Sequence, residues 1–159
     1  MSISFLRLWP LLLLATLAAA PLHAQREKLP LEDLEFVEKK WPDARRTGTG
    51  LRYIVLNEGD KNSAMPVPGM MVSTLYKGML LDGTVFDEAL DPAKPLRIRL
   101  GRGNLIDGWE EALQQMHKGE KRLLIVPAEL GYGTRGRAPT IPRNATLIFE
   151  VELLDFEGK

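Results

Sequence analysis

Cysteine is absent from all 159 residues. That removes disulfides, thiolate nucleophiles, thiolate metal sites and a lipidated cysteine anchor in one stroke. Histidine is scarce, with His23 and His117 far apart, so the residue types offer no metal cluster. Net charge is scarce as well: Lys plus Arg and Asp plus Glu both number 21, giving a formal charge of zero and no broad surface for a polyanion. The one long apolar run lies within the first 24 residues. The chain as a whole has 45% hydrophobic and 26% charged residues, the composition of one ordinary globular domain.

The first segment is a different material. Arg7 provides a positive start, Leu8 to Ala20 is an apolar run interrupted at Pro10 and Thr16, and Leu22-His23-Ala24 ends in a small residue. This is the pattern of a secretory signal peptide over residues 1–24, with an uncleaved membrane anchor as the runner-up on length. The expected destination is the periplasm or the cell exterior, and after cleavage the chain is expected to be free of the membrane. A cysteine-free domain in an oxidising compartment must hold together by its core alone.

Residues 25–47 form a charged, helix-prone leader. Leu31, Leu34 and Val37 repeat at helical spacing, Pro30 stands at the start, and Trp41-Pro42 ends the pattern. The expectation is a short helix docked on the domain, with the chain a monomer; weak dimerisation through the leader is the alternative, although some ten residues make a poor coiled coil. Thr47-Gly48-Thr49-Gly50 reads as a flexible joint. A single domain is then expected over residues 48–157.

Five strands are expected there. They centre on Leu51–Leu56, Met70–Leu80, Leu96–Leu100, Lys121–Val126 and Leu147–Leu153, with Leu147, Phe149, Val151 and Leu153 inward and Ile148, Glu150 and Glu152 outward. Asp82-Gly83 marks a hairpin. One short helix begins near Asp107. Asp107 is expected as its N-cap with Glu110 at the capping-box spacing, Trp109, Ala112, Leu113 and Met116 form one apolar face, and Gly119 is the C′ residue. A Gly- and Pro-rich loop runs from Gly131 to Pro142, at the length where loops tend to be functional. The fold class is α+β: an antiparallel five- to six-stranded half-barrel sheet wrapped on one short helix.

Five pieces, in this order, resemble the FKBP family of peptidyl-prolyl cis-trans isomerases: Tyr76-Lys77-Gly78-Met79-Leu80, Asp82-Gly83-Thr84-Val85-Phe86-Asp87, Gly108-Trp109-Glu110-Glu111-Ala112-Leu113, Gly131-Tyr132-Gly133, and Ile141-Pro142-Arg143-Asn144-Ala145-Thr146-Leu147. The resemblance implies an apolar pocket for the proline ring. Trp109 would be its floor, Tyr76, Phe86, Leu105, Ile106 and Phe149 its walls, Asp87 its acidic residue and Tyr132 its loop tyrosine. The Ile106 N–H would bind a substrate carbonyl, and Ile141 would overhang the site. The sequence departs from the family pattern at Leu96, where an aromatic wall is frequent, at Thr140, and at Arg143, which replaces a second proline; these bear on macrolide affinity and side-chain preference. The resemblance further implies no cofactor, proline-containing polypeptides as clients, and macrolides of the FK506 or rapamycin type as ligands. The expected activity is isomerisation of X-Pro bonds during folding of exported proteins. The competing reading is a non-catalytic chaperone or adaptor that grips proline segments in the same pocket.

Overall fold

The computed structural model describes residues 26–158. The expected signal segment lies outside the described residues. The elements are α1 (Leu31–Lys40), β1 (Arg45–Arg46), β2 (Arg52–Glu58), β3 (Met71–Leu80), β4 (Val85–Ala89), β5 (Leu96–Arg99), α2 (Asp107–Leu113), β6 (Glu120–Val126), a 3-10 turn (Ala128–Leu130) and β7 (Leu147–Glu157). All strand pairs are antiparallel, in one seven-stranded sheet ordered β1-β2-β6-β7-β3-β4, with β5 also paired to β3. The α+β class and the antiparallel sheet with its short helix are as expected. The two strands beyond the expected five are short: β1, and β4, which completes the Asp82-Gly83 hairpin. In that turn the Thr84 N–H donates to Asp82 Oδ1 at 2.8 Å.

Alternation along the strands sorts side chains onto two faces. Leu124 and Val126 of β6, Leu147, Phe149, Val151 and Leu153 of β7, and Val72 of β3 point to one face. There they bury α2 through Trp109, Ala112 and Leu113, with Met116 just beyond it. The other face is also apolar. Leu123, Ile125 and Ile148 pack with Leu29 and Val37 of the leader, and Leu34, Trp41, Ile54 and Met79 close the edges. The molecule is therefore three layers deep, α2, sheet, α1. Val37 is 1% exposed, a burial that contributes about 1.5–3 kcal/mol.

Several local expectations are corrected. Ile148 is not an outward solvent position, because α1 lies over it at 2% exposure. Leu31 does not share the docking face; it is 72% exposed, and the helix seats itself on Val37 and Leu34 instead. Thr47-Gly48-Thr49-Gly50 is a hydrogen-bonded turn and not a free joint: Gly50 N–H donates to Thr47 O, Thr47 N–H donates to Leu51 O, and Arg45 and Arg46 pair with Tyr53 and Arg52. The leader is stitched on further by Arg52, whose guanidinium donates to both carboxylate oxygens of Glu27 at 3.0 and 2.9 Å. That pairing holds the Glu27 carboxyl down at about 2, against an ordinary 4.5.

The capping box at α2 does not form either. Ile106 is the N-cap, in an extended conformation and without a side-chain cap, so Asp107 lies inside the first turn, where its charge suits the positive end of the helix. Glu110 turns away from its own N-terminus and accepts the Gly101 N–H on both oxygens, at 3.0 and 2.9 Å. Gly119 is not a helix C′ residue. The helix ends at Leu113 in tighter turns, and Gly119 N–H donates to Leu153 O on the way into β6.

A candidate active site over the indole of Trp109

A cleft of about 500 Å³ opens between the mouth of the sheet and the start of α2. Tyr76, Phe86, Asp87, Leu96, Leu105, Ile106, Trp109, Tyr132 and Phe149 all line it. Ile141 does not: it is 3% exposed and packs in the main core, so it anchors the overhanging loop from beneath. The cleft is also lined by Ile98, Gly103, Asn104, Asp107 and Gly131, which motif reading passed over. Ile98 was findable, since it lies two residues from Leu96 on the same strand face. Asp107 was hidden by its apparent role as a cap.

The aromatic set comes from four elements. Tyr76 of β3 meets Trp109 of α2 edge to face, with centroids 5.1 Å apart and planes at 84°. Trp109 meets Phe149 of β7 at 5.4 Å and 83°, and Phe149 meets Phe86 of β4 at 5.5 Å and 87°. Edge-to-face contact of this kind adds about 0.5–1.5 kcal/mol per pair beyond area burial. Each ring thus holds its neighbour upright, and the chain of rings forms a fixed apolar wall. Gly78 makes the wall possible. A Cβ there would sit 2.7 Å from Phe86 Cε2 and Cζ and 2.9 Å from Phe149 Cε1. Trp109 is 3% exposed, and its Nε1–H is buried with no partner among the described residues, as is Thr74 Oγ1.

Polar groups stand at the rim. The Ile106 carbonyl accepts from the N–H groups of Trp109 and Glu110, at 3.0 and 3.1 Å, while its own N–H donates to nothing among the described residues. Asp87 lies at the other side. Burial first, and then the hydrogen bond and charge of Asp87, push the Tyr76 phenol up to about 12. Tyr76 is thus a neutral donor throughout the physiological range. Arg137 Nη1 stands 3.8 Å from Asp87 Oδ2, and its guanidinium carbon is 6.0 Å from the centre of the Tyr132 ring. No group of three or more His, Cys, Asp or Glu able to hold a metal occurs among the described residues.

Such a site has a large apolar surface, one free backbone donor and a Tyr76 hydroxyl held by Asp87, but no activated nucleophile. It suits a reaction in which no bond is broken and an apolar ring must be gripped. The model for "FKBP-type peptidyl-prolyl cis-trans isomerase" matches residues 62–154. The chain is 54% identical over 84 residues to "Peptidyl-prolyl cis-trans isomerase FKBP2" of Mus musculus, which covers 53% of this chain and 60% of that one. It is 50% identical over 99 residues to "FK506-binding protein" of Neisseria meningitidis serogroup A, covering 62% and 89%. To "FK506-binding protein" of serogroup B it is 48% identical over 105 residues, covering 66% and 94%. The chain thus spans about six tenths of the length of the mammalian relative and most of the length of the bacterial ones.

Proposed function

Because this chain belongs to the family of FKBP-type peptidyl-prolyl cis-trans isomerases, we propose that it accelerates rotation about X-Pro bonds and that the cleft over Trp109 is where it does so. Rotation about a peptide bond costs about 18–20 kcal/mol because amide resonance must be broken. Before proline the two planar forms differ by only about 0.5–1 kcal/mol, yet they exchange over tens to hundreds of seconds. A catalyst for this step must prefer the twisted amide to either planar one. The twisted amide has less charge separation between oxygen and nitrogen. A cleft walled by Tyr76, Trp109, Phe149 and Phe86 therefore disfavours it less than it disfavours the planar forms, which lose more by leaving water.

The proline ring lies on the Trp109 indole in this reading. The free Ile106 N–H takes a substrate carbonyl on one side of the prolyl bond, and the Tyr132 hydroxyl takes one on the other. Asp87, next to the Tyr76 hydroxyl, orients the rim and removes no proton. The observation that carries the proposal is the four-ring wall with an unpaired backbone donor at its edge. The test is isomerisation of tetrapeptides containing Leu-Pro, followed by exchange NMR so that no coupling protease is needed. Catalysis by the intact protein is expected. Peptide binding without any acceleration would replace the enzyme by a proline-gripping module. FK506 is expected to compete for the cleft, as the names of the bacterial relatives suggest.

The clients we propose are exported proteins. Support comes from the composition of residues 1–24, with Arg7 ahead of an apolar run and Ala24 at its end. Proline isomerisation is a slow step of folding in any compartment. Cell fractionation, with N-terminal sequencing of the recovered protein, tests this. A mature start near Gln25 in the exported fraction is expected, and a cytoplasmic protein that keeps Met1 would refute it. Residues 26–47 belong to the working unit as a docked layer, and a monomer is the expected state.

A further inference from the structure

The loop that overhangs the cleft is built of one sign of charge. Residues 131–146 hold Arg135, Arg137 and Arg143 and no acidic side chain or lysine, a net charge of +3 in a chain whose total is zero. All three arginines are exposed. The loop is pinned. Arg137 and Ile141 exchange backbone hydrogen bonds at 2.8 Å in both directions, Asn144 N–H donates to Gly133 O at 2.9 Å, and Ile141 is buried in the core. Gly136 (φ 65°) lets the chain turn there, where a Cβ would come within 2.4 Å of Ile141 O. The backbone that carries the cations is therefore held in place, and Arg137 stands at the mouth of the site against Asp87 and the Tyr132 ring.

Little answers them within the molecule. Asp87 of β4 faces Arg137 at 3.8 Å, with both side chains about half exposed, and Asp107 of α2 lies in the lining. Glu129, the nearest acid along the chain, is engaged by Lys28 at 3.3 Å and Arg26 at 3.8 Å. Arg135 and Arg143 form no ion pair among the described residues. An extended segment advances about 3.3 Å per residue, so residues within two or three positions of a bound proline must pass along this rim.

We propose that the loop selects its substrates: proline segments flanked by aspartate or glutamate are preferred, with Arg137 exchanging its loose pairing to Asp87 for a client carboxylate while Arg135 and Arg143 steer the segment in. The proposal deepens the isomerase reading and rests on it for the location of the proline. Exposed charges at such separations act weakly one by one and are screened by salt, so the effect is expected in kcat/KM at low ionic strength.

The experiment uses the protein spanning residues 25–159 and three tetrapeptides that place Glu, Leu or Lys before proline, with a second set that places the same residues after it. Rates come from exchange NMR and dissociation constants from titration in the same samples. At 20 mM salt, kcat/KM and affinity are expected to favour Glu over Lys by roughly tenfold in at least one set. The ratio is expected to fall below about twofold at 1 M salt, where the screening length is ~3 Å. The triple variant R135Q/R137Q/R143Q is expected to lose the preference in the same way, and the salt series on the native protein makes the same test without any variant. Equal handling of Glu and Lys peptides, or a preference that survives both high salt and the triple variant, overturns the proposal. Acceleration of no peptide, with Glu still bound more tightly than Lys, overturns the isomerase reading and leaves the charge selection standing.

Discussion

Thr146, at the foot of the arginine-bearing loop, donates its hydroxyl to Asp33 Oδ2 at 2.6 Å, which ties that loop to the helix on the far side of the sheet. Thr146 is 3% exposed, so this hydroxyl depends on Asp33 for its partner. Asp33→Ala and Thr146→Val are each expected to cost about 1 kcal/mol in urea unfolding. The double variant should cost clearly less than the sum. Strict additivity would mean that the bond contributes nothing to holding the leader.

The ring wall gives a sharper expectation. Trp109→Leu keeps an apolar floor and the fold, yet removes the surface that grips proline. Its kcat/KM on a Leu-Pro peptide should fall on the order of 10–100-fold, with weaker binding. Tyr132→Phe keeps the ring and loses only a hydroxyl that has no hydrogen-bond partner among the described residues, so kcat should fall roughly three- to tenfold with little change in KM. An unchanged kcat for Tyr132→Phe would remove that hydroxyl from the reaction.

Gly78→Ala tests how tightly the wall is set. The added methyl group overlaps Phe86 and Phe149 at 2.7–2.9 Å, so one ring must move. A loss of about 1–3 kcal/mol in stability is expected, together with a drop in kcat/KM. A crystal structure of the variant with both rings undisturbed, and full activity, would show that the site tolerates slack.

Acid should loosen the leader before the sheet. Arg52 holds the Glu27 carboxyl at about 2 in the folded chain, against 4.5 for an ordinary glutamate. A carboxyl more acidic when folded contributes its stability above the unfolded value, and that contribution disappears as the pH falls from about 4.5 to about 2. The urea midpoint of the native protein should therefore exceed that of Glu27→Gln at pH 7, with the gap closing through that window. A gap of constant size from pH 7 to pH 2 would contradict the pairing.

Much of this was legible beforehand because the strands alternate. Leu147, Phe149, Val151 and Leu153 announce the inner face of β7, and Asp82-Gly83 announces its hairpin. The second buried face leaves a fainter signal. Leu123-Leu124-Ile125-Val126 is continuously apolar, the mark of a strand covered on both sides. The capping box misled because spacing shows which bonds a carboxylate can make and not which it does make. Gly101, nine residues before Glu110, supplies a donor that no local pattern reveals. The family resemblance placed Tyr76, Phe86, Asp87, Leu96, Leu105, Ile106, Trp109, Tyr132 and Phe149 around the cleft, and Ile141 escaped because a loop residue that overhangs a site and one that anchors the loop look alike in sequence.

The order of the sheet has a consequence for biosynthesis. β7, the strand reached last along the described chain, lies between β6 and β3 and supplies Phe149. A nascent chain halted before Leu147 has every other ring but no middle to its sheet, so β3 and β6 have nothing to join them. The four-ring wall over Trp109 can therefore close only after β7 has emerged from the ribosome, in one late step and not ring by ring.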